Sequence, residues 1–377
     1  MLNLRQTIVM IDSIHSRLQW TFRILLMAML GTWLLSNKVW MTDRNFPVVP
    51  IIDGIPSLPS PIDYLFYSVL IVLGIYQIMY LENKNTKIAL VGLLAFLMAG
   101  DQMRWQPYNV QYLLMVSGLF FYPKYSEELL KTFQMLIVVF LIFSGIQELN
   151  GVFIEQIFPW MIAPLADKFP AKIEPYILGG GYIFPFLSIG AGLGLLFPKS
   201  RLYAMYLAIG INVFYFYALS PLGNDWNHAI LPYNAAMAFF CYSLFYKTEN
   251  DYKSIFWSKS FRYHQVSLVF FAVLPLLSFV GLYDKMQSFN TYSGKALYAK
   301  IYVTEELVER LPDGVKRYIY RPFDGDPYIE TTYWSVDALK VSPYSEKRVY
   351  EQLERYICSF SEGECPAKLE IYTYEGR

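Results

Sequence analysis

Nine apolar stretches of membrane-spanning length, followed by one long polar tail, constrain this chain more than any other feature. They run over 17–36, 62–81, 88–103, 108–122, 132–148, 176–198, 202–220, 228–246 and 265–283. A hydrocarbon core of about 30 Å needs roughly 20 apolar residues in a helix. Residues 284–377 hold no such stretch. The pattern predicts an all-α polytopic membrane bundle of about nine transmembrane helices over 17–283. Residues 1–16 read as an interfacial N-terminal segment and 284–377 as a small C-terminal α+β domain.

The charge pattern gives an orientation. Nine crossings place the two ends on opposite sides. With the N-terminus inside, the inner loops carry Lys84, Lys87, Lys124, Lys131, Lys199, Arg201, Lys247, Lys253, Lys259 and Arg262, with Arg5 and Arg17 beside them. The outer connections carry Lys38, Arg44, Arg104, Lys168 and Lys172. Basic residues concentrate on cytoplasmic loops, so the N-terminus is expected inside and the tail outside, in a periplasmic or luminal space. Lys+Arg and Asp+Glu balance at 31 each, which gives no basic field for nucleic acid. The n-region is long and no small-x-small site follows Ser36, so the first span reads as an uncleaved helix.

The connections differ in character. Residues 41–61, MTDRNFPVVPIIDGIPSLPSP, are too rich in proline for a helix and read as an ordered loop. Residues 149–175 are too apolar for a plain loop, and a re-entrant or interfacial helix is expected there. The loop at 247–264 joins Lys253, Lys259 and Arg262 to Phe256, Trp257 and Phe261, a composition suited to anionic lipid. In the tail, 297–303 and 368–374 read as strands. Ser342–Pro343 reads as a helix start, followed by one apolar face of Val349, Leu353, Tyr356, Ile357 and Phe360. Cys358 and Cys365 sit close enough in sequence to close a short loop as a disulfide, or to remain two free thiols; Cys241 stands alone in a span.

Ionisable groups inside spans are costly and mark function or structural pairing. The candidates are Asp101 with Arg104, Gln147 with Glu148, Asp225 with His228, and the deeper Asn212. Apart from Asn212 they lie near the outer ends of their spans. They read either as interfacial pairs or as the walls of a polar cavity opening outward. With only His15, His228 and His264 in the chain, no metal site built on several histidines is expected. No HExxH, CxxC, GxSxG or P-loop pattern occurs. The glycines at 179–181, 190, 192 and 194 read as close helix packing.

Several segments carry a resemblance. SGIQELNGVFIEQ at 144–156, LGGGYIFPFLSIGAG at 178–192 and NVFYFYALSPLGNDWNHAILPYNAAMAFF at 212–240 resemble, in order and spacing, vitamin K-dependent γ-glutamyl carboxylase and its bacterial HTTM relatives. DQMRWQPYNVQYLL at 101–114 is similar to an earlier segment of that family, and the likeness covers about 10–283. The general helical style is also DoxX-like. The carboxylase resemblance implies a helical bundle acting on a quinone, with a lysine of a double-Lys motif as base. Here Gln147 and Glu148 occupy those two positions, and Val110 and Leu178 stand where histidines are expected. Gln and an ionised Glu replace a desolvated lysine poorly as a base, so carboxylation by that mechanism is not expected. The first expectation is therefore a non-catalytic scaffold or lipid- or quinone-binding subunit of an envelope complex, with membrane lipid around it and an envelope or secreted protein docked on 284–377. The alternative is a membrane enzyme, a quinol-linked oxidoreductase or peptide modifier, with Glu148 as base and Asp101, Arg104, Gln147, Asn212, Asp225 and His228 around the pocket.

Overall fold

The computed structural model describes residues 13–52, 57–258 and 260–374. The expected N-terminal interfacial segment and Lys259 fall largely or wholly outside these residues. The chain is mostly helical, with one small antiparallel sheet.

The apolar stretches fold as α1 (Ile14–Leu35), α2 (Ile62–Met79), α3 (Lys84–Ala99), α4 (Pro107–Ser117), α5 (Ser126–Glu148), α6 (Phe153–Ala166), α7 (Phe184–Leu195), α8 (Arg201–Leu219), α9 (Leu231–Phe245) and α10 (Arg262–Val280). Local signals set their ends. The side chains of Ser13 and Asn83 accept the Ser16 and Thr86 amides at the starts of α1 and α3. Pro107 occupies the first turn of α4, where no amide is needed.

Five of these helices, α1, α2, α5, α8 and α10, are long and apolar enough to cross a membrane, or six if the bent pair Glu174–Tyr182 and Phe184–Leu195 forms one span. The expected nine spans therefore reduce to five or six by length. The reason is geometric. Helices α3, α4 and α9 have 16, 11 and 15 residues. At 1.5 Å per residue even the longest reaches only about 24 Å, short of a 30 Å core. The apolar stretch at 149–175 supplies α6, a shorter helix, and the following pair bends by 53°.

Helix α1 is central, packed on α2, α4, α5 and α9. Close approach of α5 and α7 depends on glycine. A Cβ on Gly145 would lie 2.6 Å from the Pro185 carbonyl, and one on Gly192 would lie 2.7 Å from Ile142. The expected close packing thus holds at Gly180, Gly181, Gly192 and Gly194 but not at Gly179 or Gly190, which face open space.

The tail forms β1 (Leu297–Tyr302), β2 (Ile319–Tyr320), β3 (Tyr328–Glu330), α11 (Thr331–Leu339), α12 (Lys347–Cys358) and β4 (Lys368–Thr373). All pairings are antiparallel, in the order β2-β3-β1-β4. Ala299, Ile301, Ile329, Trp334, Val349, Leu353 and Ile357 fill the core between sheet and helices. Helix α12 starts at Lys347 and not at Ser342–Pro343, because that segment runs extended and Ser342 gives its carbonyl to Gln106. Cys358 and Cys365 form a disulfide just beyond α12.

The tail is seated on one end of the helical bundle. Trp334 Nε1 donates to the Asn45 carbonyl at 2.7 Å, Arg348 Nε to Gln102 Oε1 at 2.7 Å, and Gln352 to the Pro50 carbonyl at 3.1 Å. In the other direction, Gln147 donates to the Ser288 carbonyl and Asn150 to the Ser293 carbonyl. The loops at 41–52, 100–106 and 149–152 therefore share one face of the molecule with the tail.

Candidate functional site

Helix α5 ends at Glu148, whose side chain is buried in the bundle. One turn earlier on the same helix face, Ser144 Oγ donates to Glu148 Oε1 at 2.9 Å. From α8, Tyr215 Oη donates to the same oxygen at 2.5 Å. The second oxygen, Oε2, is buried and makes no well-formed hydrogen bond; the Ser188 hydroxyl of α7 lies beside the carboxyl and interacts with it only weakly.

Glu148 lines a small cavity with about 60 Å³ of space for water centres. Its other walls include Tyr108 and Gln111 of α4, Phe140 and Ser144 of α5, Tyr215 of α8, Tyr233 and Asn234 of α9, and Phe289, Thr291 and Tyr292 from the start of the tail. Tyr233 Oη donates to Gln111 Oε1 at 2.8 Å, which satisfies that pair. Tyr108 Oη and Asn234 Nδ2 are buried without a partner, like Glu148 Oε2. Buried polar atoms are nearly always hydrogen-bonded, and each one left unmade costs about 1–3 kcal/mol. Three such atoms around one cavity form an acceptor and donor set that a small oxygen-bearing molecule or waters would complete.

Thr291 and Tyr292 also line a larger chamber of about 260 Å³ between α6, the 226–227 loop and the tail. Tyr292 Oη accepts from Asn227 Nδ2 at 2.9 Å, and Asn227 Oδ1 is another buried atom without a partner.

The other expected site residues lie elsewhere. Asp101 accepts from Arg44 at 2.6 Å in a fully buried ion pair, and also from the Met103 and Val49 amides. Arg104 does not pair with it directly; it donates to the carbonyls of Val39, Leu97 and Trp40 and lies over the Trp40 ring. These two hold the 41–52 loop against α3. Gln147 points to the tail, contacting the Ser288 carbonyl and Lys295 Nζ at 3.5 Å. Asn212 donates to the Ala208 carbonyl of its own helix. His228 and Asp225 form an exposed pair at 2.6 Å, with side chains 41% and 66% accessible. The structure thus brings only Glu148 of this set to the cavity.

Sequence reasoning missed Tyr108, Ser144, Tyr215 and Asn234. Ser144 and Asn234 carried a signal, one by its i, i+4 spacing from Glu148 and the other as an amide inside an apolar helix. The tyrosines were hidden among 32 of their kind. Among the described residues no group of three or more His, Cys, Asp or Glu is placed to hold a metal ion. No protein-family model, curated protein or solved structure matches the chain.

Proposed function

We propose that the chain is an integral membrane protein that holds a small apolar molecule with an oxygen-bearing head, a quinone or a lipid, against Glu148. One observation carries this reading: Glu148 Oε2, Tyr108 Oη and Asn234 Nδ2 are buried around one cavity with no partner in the protein. A hydroxyl head would donate to Glu148 Oε2 and accept from Asn234 Nδ2 or Tyr108 Oη, whereas a carbonyl head would accept from those two donors and from Glu148 only with that carboxyl protonated; the surrounding Phe140, Tyr233 and Phe289 suit a flat or aliphatic body. In this reading the bundle makes nine passes, with the bilayer thinned around the shorter helices, the N-terminus cytoplasmic and the tail outside. The tail then offers a docking surface for an envelope or secreted partner. The carboxylase-like segments belong to the same reading, with Gln147 and Glu148 in place of lysines and no carboxylation.

A second reading is favoured by the Tyr215–Glu148 contact at 2.5 Å. A carboxylate with one oxygen held and the other buried beside a cavity is placed to take a proton from a bound quinol or peptide side chain.

The test is purification of wild type and Glu148→Gln in mild detergent, with mass spectrometry of everything that co-elutes. A stoichiometric quinone or lipid in wild type, diminished in the variant, is the expected result. A wild-type protein that carries no small molecule, with a co-eluting protein kept by both forms, would replace the ligand site with a scaffold. If the ligand is retained by Glu148→Gln but its turnover stops, the enzyme reading is the correct one.

A further inference from the structure

The proposed ligand site has two compartments, and the charge of their walls limits what enters. The inner cavity at Glu148 and the outer chamber beneath the tail share Thr291 and Tyr292 as a common wall. Their characters differ. The inner one carries the unpartnered polar atoms. The outer one is walled by the rings of Trp160, Trp226, Tyr298 and Tyr374, with Ile157 and Leu297, and by a few hydroxyls. Among the described lining residues of both compartments the charged side chains are two carboxyls, Glu148 and Glu330, with no Lys, Arg or His. Lys295 Nζ lies 3.5 Å from Gln147 Oε1, and Lys300 Nζ sits over the Tyr328 and Tyr372 rings at 4.5 and 5.7 Å.

Resting on the ligand-binding reading above, we infer that one elongated, non-anionic amphiphile spans both compartments, its polar head at Glu148 and its apolar body in the chamber roofed by the tail. An anionic head would have to be buried beside Glu148 with no cation among the described residues that line the inner cavity, which is strongly unfavourable. An uncharged or cationic head meets acceptors and an amide donor. The aromatic walls of the outer chamber suit a hydrocarbon or ring body, and the chamber has about four times the free space of the inner one, about 260 against 60 Å³. The body therefore leaves toward the tail and not sideways into lipid. Ala296 and Thr332 stand on the chamber wall, remote from Glu148 in sequence and on tail elements.

The experiment uses the full-length protein in phosphatidylcholine nanodiscs. The probe is monodecanoylglycerol with a brominated chain end, read by quenching of tryptophan fluorescence, with Trp160 and Trp226 as the reporters in the chamber. Butanetriol, which has the head without the chain, is the short competitor, and decyl phosphate is the anionic one. In Ala296→Phe, and independently in Thr332→Phe, the long probe should bind about tenfold more weakly, as expected when roughly two methylenes lose their buried place. Decyl phosphate should fail to compete at concentrations where decyltrimethylammonium does. Unchanged probe binding in both chamber variants, with binding lost in Asn234→Leu, would overturn the two-compartment inference and leave the Glu148 site standing. Competition by decyl phosphate equal to that of the cation would overturn the charge selection. Absence of any saturable binding to wild type would overturn both this inference and the ligand site itself.

Discussion

Two buried polar clusters lie at the same end of the helical bundle, and they are built oppositely. Around Asp101 every charged group is answered, and among the described residues only the Trp40 indole N–H beside it is left without a partner. Arg44 pairs with Asp101 and also donates to the carbonyls of Val39, Phe46 and Pro47, while Arg104 donates to three further carbonyls. Around Glu148, one carboxyl oxygen is held twice and the other not at all, and two neighbouring polar atoms also lack partners. From sequence the two clusters looked alike, each a charge near the end of a span. Completeness of hydrogen bonding separates them. A saturated cluster fixes backbone, and an unsaturated one keeps room for something else.

The largest expected effect breaks the saturated cluster. Asp101→Leu leaves Arg44 buried with no counter-charge, and loss of one partner of a buried pair costs about 3–5 kcal/mol. Thermal unfolding in detergent should show a steep fall in midpoint or loss of monodisperse protein. A variant as stable as wild type would mean that the Asp101 cluster is no more structural than the Glu148 one. Tyr215→Phe comes next. It removes the 2.5 Å bond to Glu148 but leaves Ser144 in place, so a loss of about 1–2 kcal/mol is expected.

The third effect is smaller and has the opposite sign. Tyr108→Phe deletes a buried hydroxyl that has no partner, so the ligand-free protein should gain about 1 kcal/mol. The same variant should retain less ligand through purification. A clear loss of stability without ligand would show that the hydroxyl already has a partner, such as an ordered water, and would weaken the distinction between the clusters.

The contrast also explains what was legible beforehand. The positions of the helices were readable because hydrophobic transfer depends on composition. Their lengths were not, since capping and proline placement cut α4 and α9 to 11 and 15 residues inside longer apolar runs. Glu148 was legible as a costly intramembrane carboxyl. Its separation from Asp101, Arg104 and Asn212 was not, because Asp101 is satisfied by Arg44 and backbone amides, Arg104 by distant carbonyls and Asn212 by its own helix turn, and backbone partners leave no mark in side-chain sequence. In the tail, β1, β4 and the apolar face of α12 followed from alternation and helical spacing. The two-residue β2 and three-residue β3 were too short to show a period, and α11 was missed with its buried Trp334.

The smallest effect concerns the hinge between the two regions. Asp284, just past α10, accepts Arg348 at 2.8 and 2.5 Å and Tyr344 Oη at 2.6 Å. Partial burial raises the carboxyl, but the Arg348 and Tyr344 hydrogen bonds outweigh it and hold Asp284 below the usual carboxylate range. A depressed carboxyl stabilises the fold above its unfolded value, near 3.9, and that contribution is lost as pH falls through the lower folded value. Arg348 is about half exposed, so screening limits the clamp to about 1 kcal/mol or less. Hydrogen-exchange protection over 284–292, corrected for the intrinsic rate at each pH, should therefore fall between about pH 4 and pH 2 in wild type, while Asp284→Asn should already be less protected at pH 7 with a flatter acid response. Phe289, Thr291 and Tyr292 in that stretch wall the Glu148 cavity. If the unsaturated cluster is a site roofed by the tail, loosening this clamp should quicken ligand exchange without touching a single group inside the cavity. If ligand exchange stays constant while the hinge loosens, the route to Glu148 does not pass beneath the tail.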